Sequence, residues 1–217
     1  MSIAGAIFDM DGTLLDSMQM WDNVGQNYLR SLGLEPREGF REILRPLSLR
    51  QSAEYMMEAY ELDRTPEQIM QEIDQGIEAR YFTDLPLKPG VADMLEQLHR
   101  RGVAMCIATA TDRYLVEAGL RRVGILDYFQ FILTCTEAGS GKDRPFIYET
   151  ALAKLGTPKE QTYVFEDALY AVETAKRAGF PVVGVEDASA SAARERIREL
   201  SDCYVVTFEH WQGLDQL

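Results

Sequence analysis

The sequence predicts an α/β protein built on a parallel sheet, with a block of helices inserted near its start. Three observations carry this. In residues 1–16 and 86–217, short apolar runs alternate with amphipathic segments, the pattern of strand–helix–strand units. Residues 17–85 contain no convincing strand and read as helices throughout. Two carboxylates, Asp9 and Asp11, follow directly on the first apolar run, at the edge where an open parallel sheet binds ligands.

Taken in order, residues 3–8 form a short buried strand, and Gly12 lets the chain break sharply after it. Helices are expected over 18–32, 38–44, 49–60 and 66–81. The stiff turn Leu85-Pro86-Leu87-Lys88-Pro89-Gly90 then returns the chain to the sheet. From there, helices over 91–101, 113–123, 145–155, 168–178 and 188–199 alternate with strands over 103–108, 131–134, 162–165, 181–185 and 203–207. Gly102, Gly124, Gly156 and Gly179 fall where four of these helices should end, as C-terminal caps do. Between Ser17 and Asp84 there are thirteen acidic residues against seven arginines, expected to form mostly a solvated helix face.

The run Asp9-Met10-Asp11-Gly12-Thr13 carries the chemistry. On a strictly extended strand both carboxylates would point the same way, because side chains alternate. Like charges so close are costly unless a cation or a shared proton relieves them. A hard divalent ion such as Mg2+, bound through oxygen, meets that need. Alone, the run would also serve as an acidic turn capping a helix.

These residues resemble the first motif of the haloacid dehalogenase-like superfamily, in its β-phosphoglucomutase and phosphoglycolate phosphatase branch. Further matches follow in order along nearly the whole chain. The strand 103–108 leads into Thr109, Lys142 precedes a helix that begins at Pro145, and Glu166-Asp167 follows the strand 162–165. Singly, Thr109 could merely end a strand, Lys142 could be a solvated lysine, and Glu166-Asp167 could be an N-cap.

The resemblance implies a Rossmann-like core at 1–16 and 86–217 and an inserted α-helical cap at 17–85. It also implies a catalytic set of Asp9, Asp11, Thr109 and Lys142. Asp9 is then the nucleophile that becomes an aspartyl phosphate, and Asp11 the general acid and base. Thr109 and Lys142 contact the phosphoryl group, and Mg2+ is held by Asp9, Asp11, Glu166 and Asp167. Substrate contacts are expected from Thr109 and Ala110, and from Met18, Trp21, Arg45 and Arg50 of the cap. Two departures stand out: Phe146 occupies the place of the usual Asp after Pro145, and Ala168 replaces a serine beside Asp167.

Composition narrows the partners. A net charge of −13 argues against a nucleic-acid surface, which needs concentrated positive charge. No apolar run is long enough to cross a bilayer, so no membrane association is expected. The first residues show no basic-then-apolar leader, and Cys106, Cys135 and Cys203 form no metal spacing. A cytoplasmic protein with reduced, buried thiols is expected. The insertion lacks both lysine and histidine. Against the resemblance, that disfavours a cap-lysine Schiff base and the histidine of mutase relatives. The expected function is Mg2+-dependent hydrolysis of a small phosphorylated metabolite. The alternatives are a phosphomutase and a phosphate-binding module without turnover. Nothing in the sequence addresses the oligomeric state.

Overall fold

The computed structural model describes residues 3–44 and 49–211. The chain divides into two compact units, Met1–Met18 with Leu85–Leu217, and Gln19–Asp84.

The first unit is built on a six-stranded parallel sheet, as the sequence predicts. The strands are β1 (Gly5–Phe8), β2 (Ala104–Thr109), β3 (Ile132–Thr134), β4 (Thr162–Glu166), β5 (Val182–Val185) and β6 (Cys203–Val205), in the order β3-β2-β1-β4-β5-β6. Every pairing is parallel. Sheets covered on both faces need strands apolar throughout, and all four residues of β1 are buried. Phe8 stacks on Phe165 of β4 with ring centroids 4.3 Å apart. Because β1 lies between β2 and β4, the strand order reverses there. Such a switch opens a crevice at the carboxyl ends of the strands.

The helices of this unit are α6 (Val91–Arg100), α7 (Arg113–Arg122), α8 (Cys135–Ala138), α9 (Phe146–Leu155), α10 (Leu169–Arg177) and α11 (Arg194–Leu200). In α6 the buried residues Val91, Met94, Leu95 and Leu98 recur at helical spacing. The four helix-ending glycines named above all have positive φ. α8 has no counterpart among the helices expected from the sequence. Its signal was present: Thr134 and Glu137 form a complete capping box. The helix expected over 188–199 begins instead as a 3-10 segment, Ala188–Ala193, held by Asp187 accepting from the Ser189 backbone.

The second unit contains most of α1 (Met18–Asp22), with α2 (Val24–Ser31), α3 (Phe40–Leu44), α4 (Leu49–Ala59) and α5 (Pro66–Thr83). The single helix expected over 18–32 is broken at Asn23, whose side chain donates to the Gln19 carbonyl. Asn competes with helical bonding in this way. In α5, Ile69, Ile73, Ile77 and Tyr81 form one buried stripe, and Thr65, Pro66 and Gln68 supply a capping box with proline in the first turn. Not all the acidic charge here is solvated without partners, since Glu72 accepts from both Tyr28 and Arg64.

The segments that link the units pair with each other inside the first one. Leu15 bridges Leu87, Asp16 donates its amide to Pro86, and Lys88 donates its amide to Leu14. Lys88, half-buried, also places its ammonium 2.8 Å from the buried Asp187, just past β5.

Candidate active site

The site forms where β1, β2 and β4 end. Asp9 is the first residue past β1, and its amide donates to Phe165 of β4. Gly12, at φ 85°, turns the chain where a Cβ would strike the Asp167 carboxylate. Thr13 then donates its hydroxyl to Asp167 at 3.1 Å. From β4 come Glu166, its last residue, and Asp167. From the loop before α9 comes Lys142, whose ammonium donates to Asp9 and, at 2.6 Å, to Glu166. Asp9, Thr109, Lys142, Glu166 and Asp167 are all buried.

Asp9, Glu166 and Asp167 each bring a carboxylate oxygen within 4.8 Å of the others. With a single lysine among them, three carboxylates leave excess negative charge in a dry site. The protonation equilibria reflect this. Burial pushes the Asp9 carboxyl up, Lys142 opposes it, Glu166 and Asp11 add to it, and the group ends at about 7. Burial and then Asp9 and Glu166 raise Asp167 well above the carboxylate range. Burial would lower Lys142, but the facing carboxylates hold it above its ordinary value.

Asp11 is placed differently from the sequence expectation. β1 ends at Phe8, so the alternation that would aim Asp9 and Asp11 the same way does not extend to them. The Asp11 carboxylate lies outside the group of three. It accepts from Ser17 at 2.6 Å and from Thr111 at 2.7 Å. Thr109 ends β2, and its hydroxyl oxygen accepts from the Thr111 amide at 3.1 Å. Its own hydrogen thus remains to be donated.

The family model described as haloacid dehalogenase-like hydrolase matches residues 6–185. The chain belongs to that family. It is therefore a hydrolase, and the matched stretch contains every site residue named so far. Among curated proteins, it is 28% identical over 173 residues to the phosphorylated carbohydrates phosphatase of Thermotoga maritima, covering 80% of each chain. It is 30% identical to the phosphoglycolate phosphatase of Rhodobacter capsulatus, over 82% of this chain and 81% of that one. Among solved structures, a candidate β-phosphoglucomutase from Thermotoga maritima superposes with a TM-score of 0.84 at 26% identity, over 99% of this chain and 100% of that one.

Family members generally use a divalent metal, and the residues here fit one. The donors are all carboxylate oxygens, suited to a hard cation. Glu166 Oε2 is buried with no hydrogen-bond partner, which is costly unless something else binds it.

The other expected contacts are more scattered. Ala110 is exposed just past β2, and Met18 lies beside Gly12. Trp21, in the second unit, donates its indole N–H to Tyr81 at 3.2 Å. Arg45 lies outside the described residues, as does the side chain of Arg50. Among the described helices none is long and apolar enough to cross a membrane. Cys106 is buried as expected, but Cys135 and Cys203 are only half-buried.

Four polar side chains at the site carried no assignment from sequence: Thr13, Ser17, Thr111 and Tyr148. Tyr148, on α9, donates to Glu166 at 3.0 Å. Thr13 belongs to the run that was singled out, and Thr111 follows Thr109 by two residues, so both stood beside a visible signal. Ser17 and Tyr148 had none.

Proposed function

We propose that this chain is a Mg2+-dependent phosphatase that hydrolyses the phosphate monoester of a small metabolite through an aspartyl phosphate on Asp9. The observation that carries this is the convergence of Asp9, Glu166 and Asp167 around one buried lysine, with Asp11 held apart by two hydroxyls. The two roles need different surroundings. A nucleophile needs neighbours that neutralise the anion it attacks, and a proton donor needs groups that hold its carboxyl in place.

Asp9 attacks phosphorus in line, and the bond to the ester oxygen breaks. Asp11, protonated at the start, gives its proton to that departing oxygen. It then takes a proton from the water that attacks phosphorus, and inorganic phosphate leaves with Asp9 restored. Thr109 donates its free hydroxyl hydrogen to a phosphoryl oxygen, and Lys142 holds Asp9 in place while offsetting the charge on the transferring group. Asp9, Glu166 and Asp167 would hold Mg2+, which when bound supplies the positive charge that lets a carboxylate approach an anionic phosphate.

The helical unit, Gln19–Asp84, is the cap that selects the substrate in this scheme, with Trp21, Arg45 and Arg50 as its contacts and Met18 as a contact from the first unit. The names of the relatives make phosphorylated carbohydrates and phosphoglycolate the first substrates to try.

The test is phosphate release from a panel of sugar phosphates, phosphoglycolate and nucleotides, with Mg2+ and then with EDTA. Release that requires metal supports the proposal. Turnover that appears only with an added sugar bisphosphate would make the protein a mutase. A folded, metal-binding protein that releases nothing from any ester would make it a binding module.

A further inference from the structure

Glu166 treats its two oxygens unequally. Oε1 accepts from Lys142 at 2.6 Å and from Tyr148 at 3.0 Å, whereas Oε2 is buried without a partner. We propose that Tyr148 is a positioning residue for the cation site, fixing the Glu166 carboxylate so that Oε2 stays turned to the metal. This rests on the reading of Asp9, Glu166 and Asp167 as metal ligands.

The two donors to Oε1 differ in what else they do. Lys142 is shared with Asp9 and sits on a flexible four-carbon stem. When Asp9 carries the phosphoryl group its carboxylate charge is gone, and the balance that holds the ammonium between Asp9 and Glu166 changes. Tyr148 has no such second duty. It is 1% exposed, belongs to the core cluster under the sheet, and sets its ring 6.2 Å from that of Phe180. Core packing therefore fixes where its hydroxyl points, independently of the state of Asp9. A buried tyrosine hydroxyl finds a hydrogen-bond partner, and here the partner is a candidate ligand. Partners of this kind orient metal-binding side chains, and their loss costs about 10- to 100-fold in affinity.

The experiment is Tyr148→Phe, which keeps the ring and removes the donor. Mn2+ is titrated into wild type and variant without substrate, and free ion is counted by electron paramagnetic resonance. The proposal expects Mn2+ to bind about tenfold more weakly to the variant. In a Glu166→Gln background the same substitution should make no further difference, because the residue it acts through has already been changed. A tyrosine that merely packs would leave Mn2+ affinity alone and lower thermal stability instead. Affinity within twofold of wild type overturns the proposal, as does an equal loss in the Glu166→Gln background. Asp167→Asn separates the two levels of the account. If wild type binds Mn2+ and Asp167→Asn does not, the metal reading stands whatever Tyr148 does. If wild type binds none, both fall.

Discussion

The hydroxyl of Thr111 donates to Oδ2 of Asp11 at 2.7 Å, joining the loop after β2 to the loop after β1. Ser17 holds the other oxygen, so the proposed acid and base is fixed at both ends by neutral donors. Asp11 becomes charged as it gives up its proton, and losing one hydrogen bond to a charged group costs about 1.5 kcal/mol or more, roughly tenfold in rate when felt in the transition state. Thr111→Val should therefore lower kcat about tenfold with KM little changed, and Thr111→Ser should restore it. Steady-state kinetics on the best substrate of the panel decides this, and an unchanged kcat would remove Asp11 positioning from the scheme.

Lys142 is the one cation among the described residues that bonds both Asp9 and Glu166. Breaking a buried ion pair by deleting one partner costs about 3–5 kcal/mol, because the remaining charges stay buried. Lys142→Met should lose turnover and that much stability in metal-free urea unfolding. The loss should be largest between about pH 8 and 10, shrink in acid, where Asp9 takes up a proton, and shrink again in stronger alkali, where the unfolded Lys142 gives up its own. A variant as stable as wild type at every pH would contradict the electrostatic account of the site.

Protons and metal compete for Asp9. With its carboxyl at about 7, mainly through burial, the group is largely neutral below that pH and must lose its proton to bind a cation. Because Asp167 is raised as well, Mg2+ affinity should fall by roughly a decade per pH unit or more as pH drops below 7. Calorimetry in two buffers of different ionisation enthalpy would show proton release on binding near neutrality. Affinity independent of pH between 5 and 8 would mean that Asp9 is not a ligand.

The half-buried Lys88 and the buried Asp187 form an ion pair that ties the returning segment to the end of β5. Burial pushes Asp187 up, but bonds from Lys88 and Ser189 outweigh it and leave the carboxyl below its ordinary value. A carboxylate lowered on folding stabilises the protein above its unfolded pKa, and that stabilisation is lost as pH falls through the folded value. At pH 7, Asp187→Asn should destabilise the protein by about 1.5–3 kcal/mol, because Lys88 loses its carboxylate and keeps the Glu186 carbonyl. The gap in thermal stability between variant and wild type should narrow as pH falls from about 5 to 3. A constant gap across that range would show that the ion pair contributes little.

The sheet was legible because its strands are apolar throughout and its helices end on glycines, both local signals. Gly5–Phe8 and Val182–Val185 fall inside strands expected over 3–8 and 181–185. The break at Asn23 was hidden because the apolar pattern runs across it, and a side-chain bond to a carbonyl leaves no periodic trace. At the site, Asp9, Thr109, Lys142, Glu166 and Asp167 stood out as charged or hydroxyl groups at strand ends or before a helix. The direction of Asp11 did not, because it depends on where β1 stops. Tyr148 was hidden for another reason: it lies in the apolar stripe of α9, where an aromatic ring reads as packing.

If Asp9 itself takes the phosphoryl group, an acyl phosphate forms on it during turnover. The most direct measurement is to mix substrate with Mg2+-loaded enzyme, quench in acid within a turnover, digest, and locate the phosphoryl mass by peptide mass spectrometry. An acid-stable, alkali-labile phosphoryl group is expected on the peptide containing Asp9 and is expected to be absent from Asp9→Asn, which releases no phosphate. Phosphate release that persists in Asp9→Asn, or a phosphoryl group found on another residue, would contradict it.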